Sequence, residues 1–180
     1  MNLLVDGNGW LHLDRGGLRV IELGGGSMPQ WHPNVDVRYC FDPDGRSTVD
    51  FTADFGAPLP ILSSEWDVVF SRYAIEHISW RLVRGFITET FRILKPGGTA
   101  VIVTADGEAQ MRWALKQDWD ERVSQCLGGD QDYPENSHKT FFNPTWAARL
   151  FRGVGFSRVL VYPHGALKAD MVIEASKPSA

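Results

Sequence analysis

Residues 20–26 read Val20-Ile21-Glu22-Leu23-Gly24-Gly25-Gly26, and this stretch decides the fold. A short apolar run that ends in an acid and three glycines is typical of a buried parallel strand followed by a turn where the backbone approaches a ligand closely. In an open α/β sheet, a nucleotide-like cofactor binds at the turn after the first strand. Glu22 places a negative charge at this turn, where it would repel a pyrophosphate and attract a cationic group. The stretch therefore predicts a site for a positively charged, nucleotide-like cofactor.

The composition is that of an ordinary globular protein of 180 residues, with 43% hydrophobic residues and a formal net charge of −4. This length predicts one domain. No block of like charge is present, which argues against a nucleic-acid-binding surface. The two cysteines, Cys40 and Cys126, lack a CxxC spacing, so we expect a reducing, cytoplasmic compartment and no disulfide framework. We also expect no signal peptide and no membrane span.

Apolar runs bounded by turn residues predict seven strands that alternate with helices. The predicted strands are residues 18–23, 34–37, 48–52, 67–71, 99–104, 157–162 and 169–175. A Pro-His-Gly turn joins the last two strands, which predicts that they are antiparallel. The predicted fold is therefore a doubly wound α/β domain over residues 1–180, with a mostly parallel seven-stranded sheet that ends in an antiparallel hairpin. An Asp-Gly-Asn-Gly turn at residues 6–9 predicts a further short β-hairpin within residues 1–16.

Apolar spacing and capping residues predict the helices between these strands. The connection from Gly26 to the second strand is too short for a full crossover helix, which predicts a short or distorted helix there. A second helix is predicted from Ser79, as its N-cap, to about Leu94. A third is predicted from Asp106 to about Leu127. Its apolar stripe consists of Met111, Leu115, Trp119, Val123 and Leu127.

Several motifs follow one another in a recognisable order along the chain. They are residues 22–26, Asp36 at the end of the second strand, Ala-Asp-Phe at 53–55, Trp-Asp-Val-Val-Phe-Ser at 66–71, Ile-Glu-His-Ile at 75–78, and Arg-Ile-Leu-Lys-Pro-Gly-Gly at 92–98. In this order and spacing, the set resembles the small class I (Rossmann-like) S-adenosylmethionine-dependent methyltransferases. The resemblance covers about residues 18–105. The chain departs from the family pattern at Met28, where a further glycine is expected, and Pro29 follows.

The resemblance implies a site for S-adenosylmethionine at the carboxyl edge of the sheet. The implied cofactor-binding residues are Glu22, Gly24, Gly25, Gly26, Asp36, Asp54, Phe55, Ser71, Arg72 and Tyr73. Asp36 would accept hydrogen bonds from both ribose hydroxyls, and Asp54 would accept them from the adenine amino group. Two alternatives stay open: Glu22 only braces the glycine turn, and Asp50 is the rival acid to Asp54.

The polar segment 128–142 is poor in helix and strand signals and is predicted to be a long loop. Loops of this kind in compact domains are often functional, and residues 106–142 are expected to form an insertion on the acceptor side. The loop precedes Asn143, which with Pro144 predicts the N-terminus of a final helix that ends at Gly153 or Gly155.

Catalytic residues are less constrained, because methyl transfer depends mainly on positioning and needs a base only when the acceptor loses a proton. The candidates are His77, Tyr133 and His138. For His77, the alternative is a packed, hydrogen-bonded residue that braces its loop. No metal is expected, since a set of Asp130, Asp132 and His138 matches no standard ligand spacing.

The function predicted from the resemblance is methyl transfer from S-adenosylmethionine to a small molecule, glycan or other metabolite. Membrane and nucleic-acid partners are not expected. An alternative is a cofactor-binding or scaffold protein without turnover, which is suggested by Met28-Pro29 and the shortened first helix. A nicotinamide-dependent oxidoreductase is disfavoured, because residues 24–29 lack the G-x-G-x-x-G spacing.

Overall fold

The computed structural model describes residues 4–5, 10–12, 17–38, 40, 43–165 and 169–179. Its strands are β1 Leu4–Val5, β2 Leu11–His12, β3 Val20–Leu23, β4 Asn34–Asp36, β5 Phe51–Thr52, β6 Trp66–Arg72, β7 Leu94–Ala105, β8 Arg158–His164 and β9 Asp170–Ser176. Its α-helices are α1 Val83–Ile93, α2 Gly107–Ala114, α3 Glu121–Gly128 and α4 Pro144–Val154. Two 3-10 helices cover Ile75–His77 and Pro134–Asn136. No helix among these residues is long and apolar enough to cross a bilayer.

Seven of the strands form one sheet in the order β5-β4-β3-β6-β7-β9-β8. The pairs β3–β4, β4–β5, β3–β6 and β6–β7 are parallel. Strand β9 is antiparallel to both β7 and β8. The prediction of a mostly parallel sheet with a C-terminal antiparallel hairpin is therefore confirmed. The chain proceeds from β3 outward to β5 and then returns to the other side of β3 with β6. This reversal opens a crevice at the carboxyl ends of β3 and β6, where ligands bind in such sheets.

The N-terminal strands β1 and β2 pair with each other antiparallel, outside the main sheet. This pairing confirms the predicted strand pair at the start of the chain. The Asp-Gly-Asn-Gly turn at residues 6–9 lies outside the described residues.

The core lies on both faces of the central strands because side chains alternate along each strand. On one face, Val69 and Ile102 pack against α1 and α4, which contribute Phe86 and Phe151. On the other face, a smaller group that includes Phe70 packs with partly buried residues such as Trp31. Strands β6 and β7 are therefore apolar on both sides, as is typical of the central strands of a parallel sheet.

The predicted short helix after the first strand is wrong, because residues 24–33 form only turns and bends. This connection is held by side chains instead. The Glu22 carboxylate accepts hydrogen bonds from the backbone N–H groups of Gln30 and Trp31, at 2.6 and 2.7 Å. The Asn34 side-chain oxygen accepts one from the Gly25 N–H at 3.0 Å. These groups satisfy backbone donors that a helix would have satisfied internally.

The start of α1 differs from its prediction. The helix begins at Val83 with Leu82 as its N-cap, and no side chain caps it. The Ser79 carbonyl, rather than its hydroxyl, accepts hydrogen bonds from the Leu82 and Val83 N–H groups. The helix ends at Ile93, close to the predicted end, and residues 95–98 lie within the bounds of β7.

The helix predicted over residues 106–127 is two helices. Asp106 caps α2 as predicted, with its side chain accepting from the Ala109 N–H. Asp120 caps α3 in the same way, accepting from the N–H groups of Arg122 and Val123. An aspartate in the cap position competes with helix continuation because its carboxylate satisfies free N–H donors. The break leaves most of the predicted apolar stripe in solvent: the exposed members are Met111, Leu115 and Trp119.

The C-terminal part of the chain follows its prediction closely. Apart from Pro134–Asn136, residues 129–143 are in neither helix nor strand. The Asn143 side chain caps α4 by accepting from the Trp146 N–H at 2.8 Å. Gly155 follows the helix with φ +122°, a backbone region that favours glycine.

Candidate cofactor and acceptor site

A cavity of about 750 Å³ lies at the carboxyl edge of the sheet, where the strand order reverses. Its walls come from the glycine turn after β3, the end of β4, the segment after β5, the segment after β6 and the long loop before α4. Ligand pockets in proteins span about 300–1,000 Å³. The cavity therefore has the place and the size of a cofactor site with room for a second ligand.

The glycine turn forms one wall of this cavity through all three of its glycines. Gly24 has φ +82°, and a Cβ there would lie 2.4 Å from the Ala74 Cβ. Gly26 has φ +58° and has open space where a side chain would stand. The positive φ and the close contact require glycine at position 24. The open space at Gly26 leaves bare backbone facing the cavity.

Asp36 lies at the end of β4 and is 7% exposed, on the cavity wall. One of its oxygens accepts from the Gly26 N–H at 2.9 Å, and the other accepts from the Val37 N–H at 2.7 Å. These two bonds fix the carboxylate relative to the glycine turn. Because each carboxylate oxygen has more than one acceptor site, Asp36 retains capacity for ligand hydroxyls.

Asp54 and Phe55 follow β5 and also line the cavity. The Asp54 side chain accepts from the Gly56 N–H at 2.7 Å, while Phe55 is buried edge-on against Phe86 with ring centroids 5.3 Å apart. The rival acid, Asp50, does not line the cavity. Its carboxylate binds the His32 ring and the Asn34 N–H instead.

The structure does not bring Glu22 to the cavity wall. The side chain is fully buried behind the turn, where one carboxylate oxygen binds the backbone of residues 30 and 31. The other oxygen, Oε1, is buried without a hydrogen-bond partner among the described residues. Burial raises the pKa of Glu22 to about 7. This placement corresponds to the bracing alternative for Glu22.

The three residues predicted around the end of β6 are placed differently from one another. Ser71 is fully buried and does not line the cavity. Arg72 lines it, and its guanidinium donates to the Met28 carbonyl at 3.4 Å. Tyr73 lines it as well, with φ +50°, and its hydroxyl donates to the Asp170 carboxylate at 3.1 Å.

The loop before α4 covers the opposite side of the cavity. Tyr133 lines the cavity, and its ring lies against the Arg38 guanidinium, 3.4 Å from centroid to Cζ. The loop is tied to the sheet edge by the Glu76 carbonyl, which accepts from the N–H groups of Lys139 and Thr140 at 2.8 and 3.0 Å. Arg38 belongs to none of the motifs described above, and no role was predicted for it.

A second cavity of about 350 Å³ adjoins the first and shares Tyr73, His77 and Asn136 with it. His77 therefore faces both cavities, whereas His138 lines only the second. The two imidazole rings are 5.1 Å apart between centroids. Burial lowers the pKa of both histidines. The structure thus brings His77 and His138 together from distant parts of the chain, and it places Tyr133 on the larger cavity.

Glu76 is a buried acid beside these histidines, and no site role was predicted for it. It is 1% exposed, and its side chain accepts from the Thr104 hydroxyl at 2.9 Å. Burial raises its pKa to about 7. Its position directly before His77 was the available signal. The Asp130, Asp132 and His138 set is not brought together as one group: among the described residues, the cluster with metal-ligand spacing is Glu76, His77 and His138.

Comparisons with known proteins agree with this geometry. A family model described as a methyltransferase domain matches residues 38–102. A search of curated proteins finds no match. The predicted resemblance to class I methyltransferases is confirmed by this model together with the similar solved structures.

Among solved structures, the chain is similar to a possible histamine N-methyltransferase of Thermotoga maritima, with TM-score 0.61, 19% identity, and coverage of 89% of this chain and 82% of that one. It is similar to an S-adenosylmethionine-dependent methyltransferase of Mesorhizobium loti, with TM-score 0.61, 14% identity, and coverage of 92% and 94%. A Haemonchus contortus phosphoethanolamine N-methyltransferase in complex with S-adenosylmethionine gives TM-score 0.60 at 13% identity, and coverage of 91% and 49%. At these identities, the likeness shows the fold.

Proposed function

We propose that the chain is a methyltransferase that binds S-adenosylmethionine in the larger cavity and methylates a small molecule, glycan or other metabolite. The observation that carries the proposal is the convergence of the glycine turn, Asp36 and the Asp54–Phe55 pair on one cavity at the reversal of strand order. The family model and the shared fold support the same reaction class.

The residues present fit the cofactor. Open space above Gly26 admits a ligand against the backbone, and Asp36 offers acceptor sites beside it for ribose hydroxyls. Asp54 and Phe55 offer an acceptor and an aromatic ring for an adenine group. Arg72 offers a cation for the carboxylate of the cofactor's amino-acid part. Glu22 acts in this proposal by holding the turn in place rather than by touching the ligand.

The cofactor supplies an electrophilic methyl group when bound. The chain's own contribution is to position an acceptor beside it, since holding reactants in alignment supplies much of the rate enhancement in such reactions. Tyr133, on the loop opposite the glycine turn, lines the space left for the acceptor, and His77 faces it from the segment after β6. These residues would orient the acceptor and restrict its contact with water. Similar structures that act on small amines support a small acceptor.

Titration calorimetry with S-adenosylmethionine and its demethylated product tests cofactor binding. We expect Asp36→Ala to weaken affinity more than tenfold, about 1.4 kcal/mol or more, because the carboxylate is fixed on the cavity wall. Asp118→Ala is the matched control, since Asp118 is exposed and does not line the cavity. Equal dissociation constants for the Asp36 variant and the wild type would remove Asp36 from the site, and no binding by the wild type would overturn the proposal.

A second candidate function is cofactor binding without turnover. Met28 and Pro29 in the glycine turn, and the absence of a helix from residues 24–33, favour it. An assay for the demethylated cofactor, run over amine, hydroxyl and thiol acceptors, separates the two functions. Binding without product from any acceptor class would favour the second candidate. We further propose a cytoplasmic location, which the free thiols of Cys40 and Cys126 support.

A further inference from the structure

Glu76, His77 and His138 form a compact group where the two cavities meet. One candidate ligand atom of each side chain lies within 4.8 Å of those of the other two. Glu76 and His77 are consecutive after β6, and His138 comes from the loop before α4. Only a modest contraction would bring all three atoms to about 2.1 Å from one ion, the usual distance for nitrogen and carboxylate ligands of zinc. The group therefore has the donor atoms and the spacing of a three-ligand metal site.

Both imidazoles are held by backbone carbonyls. The His77 Nδ1–H donates to the Ser137 carbonyl at 3.2 Å, which leaves the lone pair on Nε2. The His138 ring is likewise hydrogen-bonded to the Leu127 backbone. Metal-binding histidines nearly always donate their second ring N–H to a carbonyl or carboxylate, which fixes the ring and its tautomer.

The charges around the group favour a cation. The second cavity is lined by three carboxylates, those of Glu76, Asp130 and Asp170, and no lysine or arginine is among its described lining residues. The Glu76 carboxylate is fully buried and accepts hydrogen bonds from neutral donors alone, the Thr104 hydroxyl and the backbone N–H groups of Glu76 and Ala105. A buried carboxylate is costly unless it is paired or coordinates a metal. A divalent cation would compensate these charges.

We propose that Glu76, His77 and His138 bind one divalent first-row transition-metal ion. Two imidazoles and a carboxylate suit zinc, iron or cobalt better than magnesium or calcium, which prefer oxygen ligands alone. Three protein ligands leave at least one coordination position open, as in catalytic rather than structural sites. Because His77 and Tyr73 are shared with the larger cavity, the ion would lie close to the proposed acceptor space.

The role of this metal rests on the proposed methyltransferase function. An acceptor hydroxyl bound to the ion would become more acidic and would lose its proton to solvent. Its oxygen would then form a bond to the methyl carbon of S-adenosylmethionine, while the S–CH3 bond breaks and S-adenosylhomocysteine leaves. A metal in this position would favour an oxygen acceptor, with the two histidines as ligands instead of general bases. Metal binding itself requires none of this, so it can be tested separately from methyl transfer.

The test uses the full chain after treatment with a chelator. Titration with Co²⁺, followed by its visible absorption, and with Zn²⁺ by calorimetry should each show one site per chain with micromolar or tighter affinity. His138→Ala should weaken both by at least tenfold and leave S-adenosylmethionine affinity unchanged, because His138 does not line the larger cavity. His32→Asn is the matched control, because His32 is exposed and hydrogen-bonded to Asp50, and it should bind the metal as the wild type does.

Millimolar binding by the wild type, or wild-type affinity in the His138 variant, would overturn the metal site. Glu76→Gln gives a second readout, and its circular dichroism and that of His138→Ala report whether the fold persists. Should either variant unfold, the cobalt spectrum of the wild type decides by itself, since imidazole ligands shift its bands away from those of aqueous Co²⁺.

A wild type that binds metal but no S-adenosylmethionine would refute the proposed function and keep the site. A wild type that binds S-adenosylmethionine but no metal would do the opposite.

Discussion

The two sides of the larger cavity are built in different ways. On the proposed cofactor side, Gly24, Gly26 and Asp36 lie within thirteen residues of one another. The Gly24 N–H donates to the Val35 carbonyl at 2.7 Å, and the Gly26 N–H donates to the Asp36 carboxylate at 2.9 Å. On the proposed acceptor side, His77 and Tyr133 come from segments that are separated in sequence by α1, β7, α2 and α3. A site made from one continuous turn leaves a motif in the sequence, whereas a site made by a loop that meets a distant segment does not.

Gly24→Ala should have the largest effect, because it strains the turn on which the cofactor side depends. Its Cβ would lie 2.4 Å from the Ala74 Cβ at φ +82°. Strain and overpacking together should cost on the order of 4 kcal/mol in the free energy of unfolding, measured by urea denaturation. Gly85→Ala is the control. That exposed glycine in α1 has open space at its Cβ, so the change should stabilise the protein by up to about 1 kcal/mol. Similar losses for both variants would contradict this account.

Glu22→Gln, a change behind the glycine turn, should alter how the free energy of unfolding depends on pH. The folded-state pKa of Glu22 is raised from 4.5 to about 7 by burial, against the lowering effects of Arg72, His32 and the backbone N–H groups that it accepts from. Its contribution is therefore fully present below pH 4.5 and is lost as the pH rises to about 7. The wild type should lose up to about 3 kcal/mol between pH 5 and pH 8 that the variant does not lose. Parallel pH curves for the two proteins would show that Glu22 does not titrate in this way.

The control for this comparison is Glu121→Gln. Glu121 is an exposed glutamate in the first turn of α3. Its variant should follow the wild-type curve of unfolding free energy against pH.

Tyr133→Ala should have the smallest effect on stability and should act on the acceptor side alone. It removes the contact with the Arg38 guanidinium, which at a partly exposed site contributes about 0.5–1 kcal/mol. We expect a higher KM for the acceptor and little change in cofactor affinity, measured by steady-state kinetics and calorimetry. Tyr133→Phe keeps the ring contact and loses the hydrogen bond with Arg38, so it should lie between the wild type and the alanine variant. A tenfold loss of cofactor affinity in the alanine variant would place Tyr133 on the cofactor side instead.

The features that the sequence predicted correctly depend mostly on neighbouring residues. The buried strand before Gly24, the Asn143 cap and the antiparallel final hairpin are all local features, and all are found in the structure. The helix over 106–127 was mispredicted because periodicity extended across Asp120, whose capping bonds to the N–H groups of Arg122 and Val123 were not weighed against it. The helix predicted after β3 is absent for a similar reason, because the hydrogen bonds from residues 25, 30 and 31 to the side chains of Asn34 and Glu22 were not weighed either.

The acceptor side shows what local patterns omit. Nothing near His138 in sequence indicates that its ring packs against His77 or that both lie beside the buried Glu76 carboxylate. That proximity follows from the two hydrogen bonds that tie the loop to the Glu76 carbonyl, which are contacts between distant residues. The placement of Glu22 behind the turn likewise depends on the path of residues 30 and 31.

Tyr73 lies between the two cavities. This residue lines both cavities, and its hydroxyl donates to the Asp170 carboxylate on β9. A ligand in either cavity would therefore contact the same tyrosine. If a ligand in one cavity displaces Tyr73, the affinity of the other cavity for its own ligand changes, and thermodynamic linkage makes the two changes in affinity equal.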